Sequence, residues 1–102
     1  MIVEMNGIQF ASGKYPPAKS FLTRIVEIVK KVEPDAKPFI LKPISGDMGE
    51  IVVVVMFPSL AAYDEFLKNV DTDPEYEALV EEWREADWSP HRQVRLFNVV
   101  EE

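Results

Sequence analysis

The chain has 102 residues, of which 47% are hydrophobic, so its size and composition fit one globular domain that spans residues 1–102. The formal net charge of −7 argues against a nucleic-acid partner, because phosphate binding needs clustered Lys and Arg. Cysteine is absent, which excludes disulfides, thiolate nucleophiles and thiolate metal sites. No segment is long and apolar enough to cross a bilayer, so we expect no membrane partner, and cytoplasm is the default location.

The first two elements are predicted to be a strand and an amphipathic helix. The strand covers Ile2–Ala11, and its central Asn6–Gly7 pair is typical of hairpin turns. Hairpin arms of about four residues are marginal alone, so we favour one long strand with a bulge or bend at the glycine. The Pro16–Pro17 pair opens the helix, and Glu33–Asp35 ends it, because Pro34 disfavours helical geometry in the residue before it.

The next two elements are predicted to be strands. The first covers Lys37–Ile44, where Pro38 and Pro43 cannot donate ladder hydrogen bonds, so we expect it at a sheet edge. The connection Ser45–Gly49 leads into the second strand, Glu50–Phe57. This strand is apolar on both faces, and a strand of that kind must be covered on both sides.

Two helices and a last strand complete the chain. Ser59 caps a helix that reaches Asn69, and Asp73 caps a second helix that ends near Asp87. The last strand covers His91–Val100. The order β-α-β-β-α-α-β predicts an α+β, ferredoxin-like fold: a four-stranded antiparallel sheet with its helices on one face.

The apolar third strand also predicts a partner. Alternate residues of a strand point to opposite faces, and in Glu50–Phe57 both sets are apolar. The helices cover one face, which leaves an apolar patch of the kind that usually marks an interface. We therefore expect a homodimer formed by a two-fold contact through the other sheet face, with cover by a tail or another protein as the alternative.

Several short motifs resemble the NIPSNAP-like branch of the dimeric α-β barrel superfamily. They are Met1–Met5, Ser12–Lys14 before the first helix, Gly49–Glu50, Phe57–Tyr63 and Asp73–Tyr76. The resemblance implies a cavity between sheet and helices that small, often aromatic ligands enter. It implies a cofactor-free monooxygenase or an isomerase that acts on a small apolar or aromatic compound. The alternatives are a non-catalytic ligand-binding domain and a structural or interaction module.

Three polar residues are candidates for catalysis. Haem-degrading and antibiotic-biosynthesis monooxygenases of this superfamily carry an asparagine on the first strand, as this chain carries Asn6, with a histidine or tryptophan from the later helix. That helix has no histidine here, and His91, the single histidine, follows it, so we expect neither haem nor a metal site. His91 could act as a general base, and Arg95, with Arg92 on the same strand, could bind an anionic group or pair with carboxylates across the dimer. A structural role is the alternative for each.

Five aromatic residues are candidates for the wall of a ligand pocket. The Tyr63 hydroxyl needs a partner if it is buried, so it could donate to a ligand. Trp83 could pack in the core instead, and Trp88 could cap either the cavity or the dimer edge. The full set is Phe10, Tyr15, Tyr63, Trp83 and Trp88.

Overall fold

A computed structural model describes residues 1–10, 13, 15–46, 48–86 and 91–100, and for residues 15–18 and 91 it describes the backbone alone. The elements follow the predicted order. They are β1 (Ile2–Gln9), α1 (Tyr15–Val32), a short 3-10 helix (Pro34–Ala36), β2 (Phe39–Leu41), β3 (Glu50–Phe57), α2 (Leu60–Asp71), α3 (Pro74–Ala86) and β4 (His91–Asn98). None of the helices in these ranges is both long and apolar enough to cross a membrane.

The strands form one antiparallel sheet in the order β2-β3-β1-β4. With the helices on one face, this arrangement is the ferredoxin-like α+β fold that the element order predicts. β1 lies at the centre and pairs with β3 on one side and with β4 on the other, each over its full length. The inner elements of the sheet are therefore the first and third strands of the chain.

The predicted bulge or bend at Gly7 is wrong, and so is the alternative hairpin. The pairing runs through Asn6 and Gly7 without an offset, both toward β3 and toward β4. A central strand gains ladder hydrogen bonds on both edges, which outweighs the local turn preference of Asn-Gly. The glycine also suits a close approach, because a Cβ there would lie 3.3 Å from Oε2 of Glu50.

The second predicted strand is in the expected place but much shorter. β2 lies at the sheet edge, as predicted, and pairs with β3 from Phe39↔Val54 to Leu41↔Val52. It covers three residues rather than the eight between Lys37 and Ile44, because a proline beyond each end of β2 lacks the N–H that the ladder needs.

The ends of the other elements are close to the predicted ones. The Ser59 side chain caps α2 by accepting from the Ala62 N–H at 3.1 Å. Oδ1 of Asp73 caps α3 by accepting from the N–H groups of Glu75 and Tyr76 at 3.0 and 3.1 Å. β1 ends at Gln9 and β4 at Asn98. The predicted ends at Ala11 and Asp87 lie outside the described residues.

The core lies between the helices and one face of the sheet, which we call the inner face. Ile51, Val53, Val55 and Phe57 of β3 lie on the inner face and are all buried. They pack against apolar side chains from the three helices: Phe21, Leu22, Val26, Ile28 and Val29 of α1, Phe66 and Val70 of α2, and Leu79 of α3.

The opposite side of the sheet, the outer face, is also apolar, as the sequence predicts. The pairing register places Val52, Val54 and Met56 on it. Phe39, Leu41 and Phe97, 40%, 43% and 42% exposed, share this face with them. This is the surface on which the expected homodimer depends, and the dimer itself stays a prediction.

Candidate functional site

A cavity of about 290 Å³ lies between the inner face of the sheet and the helices α1, α2 and α3. Most of its wall is apolar, and five aromatic side chains contribute to it. Asp71, Arg92 and Val94 are the exposed residues of the wall, so the cavity meets solvent beside β4. The aromatic residues are Phe21, Tyr63, Phe66, Tyr76 and Trp83.

One wall of the cavity carries polar side chains from the two neighbouring strands β1 and β4. Glu4 and Asn6 lie two residues apart on β1 and so face the same side, and Arg92 of β4 pairs with Ile8, two residues further on. Such diagonal neighbours are within reach of long side chains. Here the Nε of Arg92 donates to the Oδ1 of Asn6 at 3.0 Å.

The helix α2 completes this polar wall with Tyr63. Its ring packs edge-on against Phe57 with centroids 5.1 Å apart, and the Glu4 carboxylate is close enough to its hydroxyl to act on its pKa. Burial raises the pKa of Tyr63 well above the ordinary 10.0, and the nearby Glu4 raises it further, against a smaller opposing effect of Arg92. Tyr63 is therefore a neutral hydrogen-bond donor at physiological pH.

Tyr76 of α3 is a second neutral phenol in the wall. Its burial is the main cause of its raised pKa, with Asp71 and Glu4 raising it further and Arg92 lowering it. Glu4 and Arg92 thus act on the same two phenols. Among the described residues, neither of the two forms an ion pair with the other or with a third group. With the exposed Asp71 also in the wall, the Glu4 carboxylate and the Arg92 guanidinium do not neutralise each other by contact.

The structure brings three of the predicted site residues together. Asn6, Tyr63 and Trp83 all line the cavity. Phe10 is buried one layer behind the wall, where it packs against Trp83 with ring centroids 6.2 Å apart, so it supports the pocket without lining it. Trp83 also packs against Phe21, with centroids 5.1 Å apart, and so serves both the core and the wall.

The structure does not bring Arg95 to this cavity. Arg95 pairs with Met5 on the outer face, and its guanidinium carbon lies 5.2 Å from the centroid of the Phe97 ring. His91 begins β4 and its backbone pairs with Gln9. The side chains of His91 and Tyr15, and the whole of Trp88, lie outside the described residues, so their predicted roles stay predictions.

Glu4 and Tyr76 belong to the site although the sequence did not single them out for it, and of the two arginines considered for anion binding the cavity is lined by Arg92. A signal for Glu4 was present: in the inner-face series of β1, two polar residues, Glu4 and Asn6, interrupt the apolar Ile2 and Ile8. A polar pair on a face that helices cover is uncommon unless it has partners or a ligand. Arg92 carries no such signal, since its face depends on which side of β4 the helices cover.

The polar wall is suited to proton transfer and to binding an oxygen atom. In the described part of the chain, no group of three or more His, Cys, Asp or Glu side chains is close enough to hold an ion. What the wall offers is a proton acceptor, two neutral phenol donors and a guanidinium beside an apolar chamber. Such groups perform general acid–base chemistry when a substrate lies within hydrogen-bond reach.

No family model and no curated protein matches this chain. Solved structures do match it. An uncharacterised NIPSNAP domain protein from Burkholderia xenovorans is 17% identical, with a TM-score of 0.81 over 98% of this chain and 95% of that one. A NIPSNAP family protein of unknown function from Agrobacterium tumefaciens is 19% identical, with a TM-score of 0.79 over 95% of this chain and 86% of that one.

A third match is a cofactor-independent oxygenase, SnoaB from Streptomyces nogalater. It is 13% identical, with a TM-score of 0.74 over 99% of this chain and 94% of that one. At these identities the matches establish the fold alone. They confirm, at the level of fold, the resemblance of the sequence to NIPSNAP-like proteins of the dimeric α-β barrel type.

Proposed function

We propose that this protein binds a small apolar or aromatic compound in the cavity and acts on it as a cofactor-free monooxygenase or as an isomerase. The observation that carries the proposal is an apolar, aromatic chamber with one polar wall, open to solvent beside β4. Its volume of about 290 Å³ is at the small end of ligand pockets, which favours a compound of one or two rings.

Both reactions use what the polar wall offers. An isomerase moves a proton from one carbon to another, which needs a proton acceptor beside the substrate. A cofactor-free oxygenase also begins by removing a proton, after which the substrate itself reduces O2: a CH2 group and O2 become C=O and H2O. The fold shared with a cofactor-independent oxygenase supports this class, although the shared fold alone does not select it.

A non-catalytic ligand-binding protein is the second candidate, and one observation favours it. Polar side chains of the wall already lie beside one another within the chain: Asn6 accepts a hydrogen bond from Arg92, and Glu4 lies near Tyr63. Such pairs could stabilise the wall without doing chemistry. A structural module with a filled interior is less well supported, because the space between sheet and helices is open.

We also infer that the protein works as a homodimer joined through the outer face. Eight apolar side chains share that face by the pairing register: Val3, Met5, Phe39, Leu41, Val52, Val54, Met56 and Phe97. A second copy of the same surface would cover them all at once.

Titration with 2-naphthol, a fluorescent two-ring phenol, tests the ligand site. Saturable binding by the wild-type protein is expected, and Val80→Phe should weaken it at least about tenfold, because an enlarged side chain in the wall fills the space. Val100→Phe makes the same change at an exposed position outside the cavity and should leave binding unchanged. Absence of saturable binding, or equal binding by Val80→Phe, would contradict the proposal.

An oxygen electrode separates the two enzymatic candidates. With 2-tetralone, a two-ring ketone, an oxygenase consumes O2 in proportion to product, whereas an isomerase consumes none while the ketone still exchanges or moves protons. A protein that binds 2-naphthol but does neither is a ligand-binding protein.

A further inference from the structure

The polar wall holds an acid and a base that are kept apart. Glu4 lines the cavity together with Tyr63, and its carboxylate is close enough to raise the pKa of that phenol. Arg92 is held through its Nε by Asn6, and its two terminal nitrogens donate to no described side chain. Both groups line the cavity: Arg92 pairs with Ile8, four residues along β1 from Glu4, and Asn6 lies between Glu4 and Ile8 on the same face.

This arrangement favours a substrate that is neutral overall. Glu4 and the exposed Asp71 are carboxylates of the cavity wall and Arg92 is its guanidinium, so a permanent anion would meet two repulsive groups and a permanent cation would meet the repulsive Arg92. A neutral ketone avoids both kinds of charge repulsion. When a base removes a proton beside its carbonyl group, negative charge leaves the carboxylate and appears on the ketone oxygen, where a guanidinium stabilises it.

We propose that the cavity takes a neutral one- or two-ring ketone with an acidic C–H beside its carbonyl group, that Glu4 removes this proton, and that Arg92 binds the resulting enolate oxygen. The inference rests on the proposed function and specifies its substrate class and its first step. Asn6 is a positioning residue, because it acts by holding Arg92.

The proton transfer conserves both atoms and electrons. The C–H bond breaks and its proton goes to a carboxylate oxygen of Glu4. The electron pair of that bond forms the carbon–carbon double bond of the enolate, and the carbonyl π pair moves to the oxygen that Arg92 binds. In D2O the proton on the Glu4 carboxyl is replaced by a solvent deuteron, and delivery of that deuteron to the same carbon gives exchange. Delivery to a different carbon gives isomerisation, and neither outcome needs an oxidant or reductant.

The experiment measures exchange of the protons beside the carbonyl of 2-tetralone in D2O by NMR, near neutral pH. The wild-type protein should exchange them at least about tenfold faster than buffer, whereas Glu4→Gln should lose about a hundredfold in kcat, within the usual range for general acid–base groups. Arg92→Gln should lose about as much, as expected for an oxyanion donor. Both losses should appear in kcat more than in KM.

Two matched controls make the same chemical changes away from the cavity. Glu65→Gln on α2 and Arg84→Gln on α3 change exposed side chains that do not line it, and both should exchange 2-tetralone like the wild type. Glu4→Asp is a second variant that keeps a carboxylate at the wall. It should retain part of the exchange even if the glutamine variant folds poorly.

Binding of 2-naphthol distinguishes failure of this inference from failure of the proposed function. If 2-naphthol binds but Glu4→Gln exchanges 2-tetralone like the wild type, or if the wild type does not exceed buffer, the inference is overturned and the ligand site stands. If 2-naphthol does not bind to the wild type, both are overturned.

Discussion

In most sheets the face that helices cover is apolar and the uncovered face is polar. The two faces of this sheet each differ from that pattern. The inner face is covered by helices, yet it carries Glu4, Asn6 and Arg92. The outer face is covered by no described element, yet it is apolar, and Val54 there is only 4% exposed because it lies between Met5 and Phe39. Polar groups on the covered face suit a bound ligand, and apolar groups on the uncovered face suit a partner protein. A single chain contains neither.

The difference also indicates the size of what each face accepts. The inner face and the helices enclose a cavity of about 290 Å³ that opens to solvent beside β4, so its polar groups suit a small molecule that enters there. These groups cost little while the site is empty, because no buried side-chain N or O among the described residues lacks a hydrogen-bond partner. The outer face is broad and has no such volume, which suits another protein surface.

The largest expected effect comes from placing charges on the apolar outer face. The double variant Leu41→Lys/Phe97→Lys places two charges on it, and each replaced apolar side chain is worth about 1.5–3 kcal/mol when fully buried. We expect the dimer dissociation constant to rise by about a hundredfold or more. Light scattering should show a mass of twice 11.7 kDa for the wild type and 11.7 kDa for the variant.

Ile44→Lys is the control for that experiment, because Ile44 is an exposed apolar residue in the loop that follows β2. It should leave the dimer intact. A wild-type mass of one chain at micromolar concentration would contradict the prediction that the outer face forms a dimer.

The next effect tests the inner face. Phe57 is almost fully buried and its ring packs against both Tyr63 and Phe66, with centroids 5.1 and 5.0 Å away. Phe57→Ala should lower the free energy of unfolding by about 3–5 kcal/mol, because it leaves a void in the core. Urea unfolding measures it, with Val100→Ala as an exposed control that should change little. A loss below about 1 kcal/mol would mean that the helices do not pack on this face as described.

A pH titration sharpens the comparison, since Tyr63 and Tyr76 are both on the inner side. In the folded protein their pKa values lie above the ordinary 10.0, so their tyrosinate absorbance should appear late. Below that ordinary value both states keep the phenols protonated, and the stabilising contribution is complete. As pH rises above it the unfolded chain ionises first, so stability falls until the folded phenols ionise too.

The variant Tyr63→Phe isolates this effect. It should lose one late-titrating group from the tyrosinate absorbance curve, and its stability should fall less steeply at alkaline pH than that of the wild type. Titration of all the tyrosines together near the ordinary pKa, in protein that circular dichroism shows to be folded, would contradict the buried position of Tyr63.

The smallest expected effect concerns the positioning of Arg92. Asn6→Ala removes the acceptor of its Nε and should lower the free energy of unfolding by about 1 kcal/mol or less, since the bond is solvent-exposed. Exchange of 2-tetralone should fall about tenfold in kcat with little change in KM. A double-mutant cycle with Arg92→Gln checks the link: the two losses should be less than additive, and strict additivity would show that Asn6 does not act through Arg92.

Much of the fold could be read from local patterns. The helix caps at Ser59 and Asp73 could be predicted because each residue places a side-chain acceptor just before an apolar stripe. The edge position of β2 followed from its prolines. The Asn6–Gly7 pair misled, because turn preference is local whereas the hydrogen bonds that override it come from strands more than forty residues away in the chain.

The candidate site was only partly predictable for a related reason. Asn6, Tyr63 and Trp83 lie on elements whose buried sides repeat regularly, so they could be proposed from the sequence. Arg92 and Arg95 could not be told apart in this way. They are three residues apart and so lie on opposite faces of β4, but their spacing does not say which face the helices cover.

The sequence by itself determined the order of the elements, their approximate ends and the two-sided apolarity of β3, because periodicity and capping act over a few residues. The tertiary structure decided which residues meet. The register of β1 against β4 joins Asn6 to Arg92, and the packing of α2 on the inner face brings Tyr63 to Glu4. Both depend on pairings between distant segments, whose geometry no local pattern encodes.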